Sequence, residues 1–393
     1  ADRCNRHRSA APFGAGANDA PGWPPPAGPP GAAGLRRVLT AFEGQRPVDL
    51  PFEVVVVDDG SRDQTPELLA GWRSRRFPLR FSRQTNQGPA KARNRALELA
   101  SGRIVLFGGD DIEPHADLVA EHVAEHGRRC DRRAAVLGLT RWPEGAALTS
   151  TMRHIDGPGA QQFSYAAFTD GAEYDFRHFY TSNVSLRREL LDREPDGFST
   201  DFPAAAFEDA ELAYRLSKRG MRIFYRSSAL AWHHHFYDAR SFFARQRTCG
   251  AMAEVLIRKH PQLAKWFDLR TLMWHRLEVL TADLDYRAKV AMVRDDLERW
   301  ERRAISVATF LDEPATELAD LVLHPLFRYG FVSGLAVARF GDKAGSLLAA
   351  DQWLRLIPAA VDVLSREARK TGVPLPKADV DAIVAVGRLE SAA

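Results

Sequence analysis

Phe52-Glu53-Val54-Val55-Val56-Val57-Asp58-Asp59-Gly60-Ser61 is the stretch on which the fold turns. Four consecutive valines carry no alternation of apolar and polar residues. A strand with one face in water alternates, whereas an unbroken β-branched run belongs to a strand covered on both faces, as in a parallel sheet. Ile104-Val105-Leu106-Phe107 repeats the pattern and ends in Gly108-Gly109-Asp110-Asp111. Ala134 to Leu139 reads as a third such strand. Between them the spacing predicts a helix near Thr65 to Trp72, a short strand over Leu79 to Ser82, and a helix over Pro89 to Ala100. Pro89 stands in the first turn of that last helix and Gly102 follows its end. Upstream, Leu35, Val38, Leu39 and Phe42 share one helical face. Strands alternating with helices over this first part predict an α/β domain built on a mostly parallel sheet.

After Trp142 the pattern loosens, and residues 143–178 read as loop-rich. His178 to Leu186 reads as a strand. Phe207 to Gly220 reads as a helix, because Leu212, Ala213 and Leu216 share a face and Gly220 can end it. Met221 to Tyr225 and Ala229 to Trp232 look extended. Helical patterns run from Asp238 to about Phe340, and again over residues 346–365.

The chain has 393 residues, 45% hydrophobic and 27% charged, which is enough apolar material for a large core and excludes wholesale disorder. At roughly 150 residues per domain, that length suggests two or three domains. The formal net charge of +3 gives no reason to expect a nucleic-acid partner. Cys4, Cys130 and Cys249 form neither a disulfide framework nor a zinc spacing, so a reducing, cytoplasmic setting is expected. No apolar run reaches the roughly 18 residues needed to span a bilayer. Leu321 to Val337 comes closest and is interrupted by His324 and Arg328.

Ligands of open α/β sheets bind beyond the carboxyl ends of the strands. Two apolar strands here end in acid pairs, Asp58-Asp59 and Asp110-Asp111. Such carboxylates can hydrogen-bond a ribose or a base, or hold a hard divalent cation. They can also be simple turn formers, but two pairs on consecutive parallel-type strands favour a site. Gly108 and Gly109 permit close backbone approach to a ligand. Glu208 and Asp209 open the helix that ends at Gly220, as cap residues or with Asp209 as a general base. The helix dipole is expected to lower the Asp209 pKa.

Taken together, Phe52 to Ser61, Gly88-Pro89-Ala90-Lys91-Ala92-Arg93-Asn94, Gly109-Asp110-Asp111-Ile112 and Phe207-Glu208-Asp209 resemble the motifs of family 2 glycosyltransferases, in that family's order and spacing. The likeness covers roughly residues 35–245. It implies a GT-A fold and hexosyl-type transfer with inversion from a nucleotide-sugar donor, a UDP-sugar first of all. It also implies Mn2+ or Mg2+ as cofactor. Under the resemblance Asp59 corresponds to a base-binding aspartate with Asp58 beside it, and Asp110 to a ribose contact. Asp111 corresponds to the metal-binding acid of a DXD-type motif whose first acid is Gly109 here, and Asp209 to the catalytic base. Lys91 and Arg93 lie near a helix start, placed either to neutralise a diphosphate or to form a solvated basic face. His233 and His235 share a face if the chain there stays extended, and family members often carry a histidine near this point that touches metal or diphosphate. Phe179 to Ser185 resembles the acceptor-side strand, so Asn183, and with it Glu208, is placed on the acceptor side. The expected acceptor is a carbohydrate or lipid-linked hydroxyl. Arg- and aromatic-rich C-terminal helices could then rest peripherally on a membrane surface. No Gly-rich loop suits a nucleotidyltransferase, and no GxGxxG follows a strand as in a dehydrogenase.

The front of the chain departs from the family, whose members open with an apolar central strand. Here residues 1–34 are rich in Pro, Gly and Ala, and proline does not suit a central ladder. They have no apolar h-region of a signal peptide. The expectation is a disordered segment over 1–34 with the first strand missing, a GT-A domain over 35–245 and a helical region over 246–393. The chain does not open on Met, and a reading-frame change upstream of about Leu35 would produce so abrupt a switch. A missing strand favours, as the alternative, a catalytically impaired relative that binds a nucleotide or a partner protein.

Overall fold

The computed structural model describes residues 9–15, 31–157 and 161–267, with single helical positions between 323 and 339. In chain order the strands are β1 (Ser9–Ala15), β2 (Phe52–Asp58), β3 (Leu79–Arg83), β4 (Ile104–Gly108), β5 (Ile112–Pro114), β6 (Ala134–Arg141), β7 (Glu173–Tyr174), β8 (Asn183–Arg187) and β9 (Arg222–His233). The helices are α1 (Gly31–Glu43), α2 (Thr65–Gly71), α3 (Pro89–Leu99), α4 (Leu118–Arg129), α5 (Ser150–Asp156), α6 (Arg188–Leu191), α7 (Glu208–Lys218) and α8 (Ala239–Lys259). Two compact units emerge, one of residues 1–146 and 164–236, the other of residues 147–163 and 237–393. The expected boundary at 245/246 falls inside α8, which opens on a reciprocal cap between Asp238 and Ser241. Most of the expected helical region 246–393, including 346–365, lies outside the described residues.

The first unit is a mixed α/β sheet in the order β3-β2-β1-β4-β8-β6-β9-β5, with β7 against the outer side of β9. β3, β2, β1 and β4 are all parallel. β8 runs antiparallel between β4 and β6, and β9 returns parallel to β6. The valine run behaves as its pattern requires. Val54 and Val56 pack on one face with Leu35, Val38, Leu39 and Phe42 of α1. Val55 and Val57 pack on the other with Ala92 and Ala96 of α3, whose small side chains let that helix lie close. Each fully buried valine stabilises the sheet by about 1.5–3 kcal/mol.

Residues 1–34 do not leave the sheet without its first strand. β1 lies between β2 and β4, pairing Pro12 with Val55 on one side. On the other side the register runs Ser9 to Ile104, Ala10 to Val105, then Phe13 to Gly108. Pro12 supplies no N–H, and that missing donor falls in the open part of the β4 ladder. Two helices also go beyond the sequence reading. α4 buries His122, Glu125 and His126 beside Leu118 and Val119, so its inward face is half polar and shows no clean apolar stripe. α5 lies in the stretch read as loop, and its inward face includes Ser150, Thr151 and His154. The two extended segments after Met221 are one strand, β9, interrupted by a bulge against Gly138 and Leu139. Among the described residues no helix is long and apolar enough to cross a membrane.

Candidate active site

The carboxyl ends of β2, β4, β6 and β9 and the amino end of antiparallel β8 meet at one edge of the sheet. There Gly108 of β4 pairs with Asn183 of β8. Just beyond that pair the chain turns, through Asp110 after β4 and through Thr181 before β8. The Thr181 backbone amide hydrogen-bonds the Asp209 carboxylate, and the Ala210 amide donates to Asp209 Oδ1 at 2.8 Å. The Thr181 contact therefore sets the acid that opens α7 at the same sheet edge as the acids that follow β4.

Asp209 is half-buried, and its pKa is pushed up to about 6, first by burial and then by the neighbouring Glu208 charge. The helix dipole was expected to lower it; desolvation and like-charge repulsion outweigh the dipole here. Arg93 of α3 works the other way and holds Glu208 at 2.6 Å. Phe207, just before the two acids, adopts a left-handed backbone with φ 64°, a cost of order 1–3 kcal/mol that marks an over-determined position.

The second group is Asp111, His233 and His235. Antiparallel pairing of β5 with β9 sets Ile112 opposite His233, which carries Asp111 to the end of β9. Asp111 Oδ2 lies 3.3 Å from His233 Nε2 and 3.4 Å from His235 Nδ1. One ligand atom from each of the three residues can be chosen with all lying within 4.8 Å of one another. His234 points the other way, to Glu113 at 2.6 Å, while its amide donates to the Asp111 carbonyl. Trp142 stacks on His233 at 5.1 Å and 10°, fixing that ring. Burial acts to raise the Asp111 pKa but is outweighed by His233 and His235, so Asp111 stands below the usual carboxylate range. Asp110 is pushed up to about 7 by burial and by the charge of Asp111. One carboxylate and two imidazoles converging on a common point form a donor set for a first-row divalent cation. The three residues therefore fit the metal that the motif resemblance implies.

The family model for glycosyl transferase family 2 matches residues 32–193. Over this segment, less than half of the chain, the sequence is similar to glycosyl transferase family 2. The match covers α1 to α6 and includes Asp58, Asp59, Asp110 and Asp111. The chain is 28% identical over 254 residues to validoxylamine A glucosyltransferase of Streptomyces hygroscopicus, covering 59% of each chain. It is 42% identical over 83 residues to an uncharacterized glycosyltransferase, YfnE, of Bacillus subtilis, covering 21% of each. Among solved structures, S. aureus TarS 1–349 in complex with UDP aligns with a TM-score of 0.45 at 16% identity, over 85% of this chain and 92% of that one. The chain spans less than two thirds of the length of the curated relatives it matches.

Several site residues expected in the glycosyltransferase domain hold scaffold rather than open positions. Asp58 is 1% exposed, accepts from the Ser61 amide at 2.7 Å and meets Arg83 at 3.2 Å. Asp59, also 1% exposed, accepts from the Gln84 side chain and from the Gln87 and Gly88 amides. Asp58 therefore pins the loop that follows β2, and Asp59 the loop leading into α3, which Gly88 serves with φ 87°. Arg93, read as facing either a diphosphate or solvent, is engaged with Glu208 and lies over the Phe198 ring. Glu208 for its part is buried against Arg93 rather than open to an acceptor. Lys91 is exposed and reaches Gln87, at 3.4 Å. Asn183 is 1% exposed, and its side chain is bonded to two backbone carbonyls and to His122, so it meets no acceptor.

Other site residues escaped the sequence reading. Thr181 and Trp142 reach the site through strand register alone. Asn94 of the Lys91–Asn94 motif clasps the backbone of Phe198 with both ends of its amide, at 2.8 Å each. A cleft of about 750 Å³ between α1 and α2, lined by Arg36, Asp63, Glu67 and Trp72 among others, includes none of the expected site residues.

Proposed function

We propose that the domain transfers a sugar from a nucleoside diphosphate sugar, a UDP-sugar first of all, to an acceptor hydroxyl of a carbohydrate or lipid-linked substrate, with inversion and with Mn2+ as cofactor. The observation that carries this reading is the convergence of Asp111, His233 and His235 at the sheet edge that also holds Asp209. The match to the family model and the glucosyltransferase named among the relatives support the reaction class. Two imidazoles favour Mn2+ over Mg2+, which prefers carboxylates, phosphates and water. Bound there, the ion supplies positive charge that stabilises the departing diphosphate.

The chain's own residues do the rest. Asp111, His233 and His235 would hold that ion, which would supply positive charge to the donor's diphosphate. Asp209, ionised above about pH 6, takes the proton from the acceptor hydroxyl as the oxygen attacks the anomeric carbon in line. A single base on the acceptor side and departure from the opposite side give inversion. The alternative of an impaired binding relative rested on a missing strand, and Ser9–Ala15 occupies that place.

The test is nucleotide release from a panel of UDP- and GDP-sugars, with Mn2+ and with excess EDTA, and NMR of the product's anomeric configuration. Asp209→Asn is expected to abolish transfer while donor binding by calorimetry persists. Full turnover by that variant, or full activity in EDTA, overturns the assignment of Asp209 or of the metal respectively.

A further inference from the structure

We infer that Asn183 is a positioning residue for the Asp111–His233–His235 site, acting through the bulge in β9; this rests on the metal reading above. β6 and β9 pair Gly138 with Arg226 and then Leu139 with Leu230. One step along β6 is thus matched by four along β9, so Ser227, Ser228 and Ala229 are extra. Side chains alternate with period two, and an odd insertion exchanges the faces of every residue downstream. That exchange decides which histidines face Asp111. With it, Ile112 pairs with His233, both His233 and His235 reach Asp111, and His234 turns to Glu113. A one-residue slip of the same strand would present His234 alone and turn the other two away.

Asn183 holds that insertion from the inside. Its Nδ2 donates to the Leu139 carbonyl at 3.0 Å, on β6 just past the bulge, and to the Ala229 carbonyl at 2.8 Å, on the bulge itself. Its Oδ1 meets His122 Nε2 at 2.9 Å. With two carbonyls fixing the amide's donor end, His122 must donate from Nε2 and accept at Nδ1 from the Ser185 hydroxyl, 2.8 Å away. Ser185 Oγ in turn accepts from His126 Nε2 at 2.9 Å. The fit leaves no room for another side chain: a Cβ on Gly138 would stand 2.4 Å from Asn183 Nδ2 and 2.3 Å from the Ala229 carbonyl. From outside, Ser227 is held by Asp170 and Ser228 by Glu121, in exposed hydrogen bonds that water can replace. Asn183, at 1% exposure, has no such substitute.

The experiment pairs Asn183→Asp, which keeps the shape and removes both donors, with Ser185→Ala, which cuts the histidine relay and leaves the bulge bonds intact. Mn2+ affinity is read by electron paramagnetic resonance, and opening of residues 226–236 by hydrogen exchange, on the full chain. We expect N183D to lose at least about tenfold in Mn2+ affinity and to exchange faster over that segment. S185A is expected to stay within about twofold in affinity even if its melting temperature falls as far. Equal loss in both variants, or unchanged affinity in N183D, overturns the inference. Where N183D does not fold, His122→Gln, which loosens the amide from its third side, is expected to give a smaller loss in the same direction, and unchanged affinity there also overturns it. A wild-type chain that binds no Mn2+ refutes the metal reading instead. In that case faster exchange in N183D alone still shows the latch, and equal exchange in all chains removes it.

Discussion

Replacing Glu208 by Gln asks directly what sets the basicity of Asp209. The two side chains share one shape, so Arg93 keeps an acceptor where it now meets Glu208 at 2.6 Å. One negative charge disappears beside Asp209, and the Arg93 charge then acts on it with less opposition. The Asp209 pKa stands raised from 3.8 to about 6, by burial first and Glu208 second. The whole rise amounts to ~3 kcal/mol between the two protonation states at 1.36 kcal/mol per pKa unit. Removing the second cause is expected to bring the value down by about one unit. The assay is kcat/KM for nucleotide release followed from pH 4.5 to 8, whose acid limb reports the base in the free enzyme. The limb is expected near pH 6 in the parent and about one unit lower in Glu208→Gln. A limb that stays in place, or moves upward, refutes the account of how Asp209 is tuned. The same shift has a stability side. The native state binds more protons than the unfolded chain between 3.8 and about 6, so this group's contribution is fully present below 3.8 and lost as pH rises through about 6. Asp209→Asn should therefore raise the melting temperature at pH 7.5 and have little effect at pH 4.

Arg93→Met leaves Glu208, whose side chain is 3% exposed, without its cation; urea unfolding at pH 7.5 should show a loss of about 3–5 kcal/mol, and a loss below about 1 would contradict the pairing. His122 and His126 are held down to about 4 and about 3, mainly by burial. Their stabilisation is present above their unfolded value of 6.5 and drains away as pH falls toward 4, so His126→Asn should flatten the stability–pH curve across that window. His235→Ala should weaken Mn2+ binding about tenfold or more, whereas His234→Ala, whose ring faces Glu113, should leave it nearly unchanged; similar losses in both would break the alternation assigned to the end of β9.

The valine run and its partner at Ile104 were legible because burial on both faces leaves four or five consecutive apolar residues, Val54 to Val57 and Ile104 to Phe107 with Gly108. The acids at their ends were legible because open sheets present their carboxyl ends to ligands. α4 was hidden by its own chemistry, since a helix that buries His122, Glu125 and His126 does not look apolar on any face. β1 was hidden because Ala, Gly and Pro carry no strand preference and the segment is held by its neighbours' edges. The roles of Arg93 and Asn183 depended on partners far away in sequence: Glu208 lies 115 positions from Arg93 and Ala229 lies 46 from Asn183. No local pattern announces such pairs. At the level of individual side chains, Asp58, Asp59, Arg93, Glu208 and Asn183 make contacts that secure the frame.

The plank formed by Ser9–Ala15 deserves a mechanical reading. β2 and β4 are linked in the ladder only through it, so its departure would divide the sheet into β3-β2 on one side and β4 with its neighbours on the other. Each part would then bare a long row of unsatisfied amides and carbonyls, the kind of border on which foreign strands settle. A seam carrying a proline, set in the middle rather than at the rim, lacks one ladder donor and turns sticky once parted. Clumping on mild heating should therefore begin with this joint giving way, ahead of any melting of the helices around it.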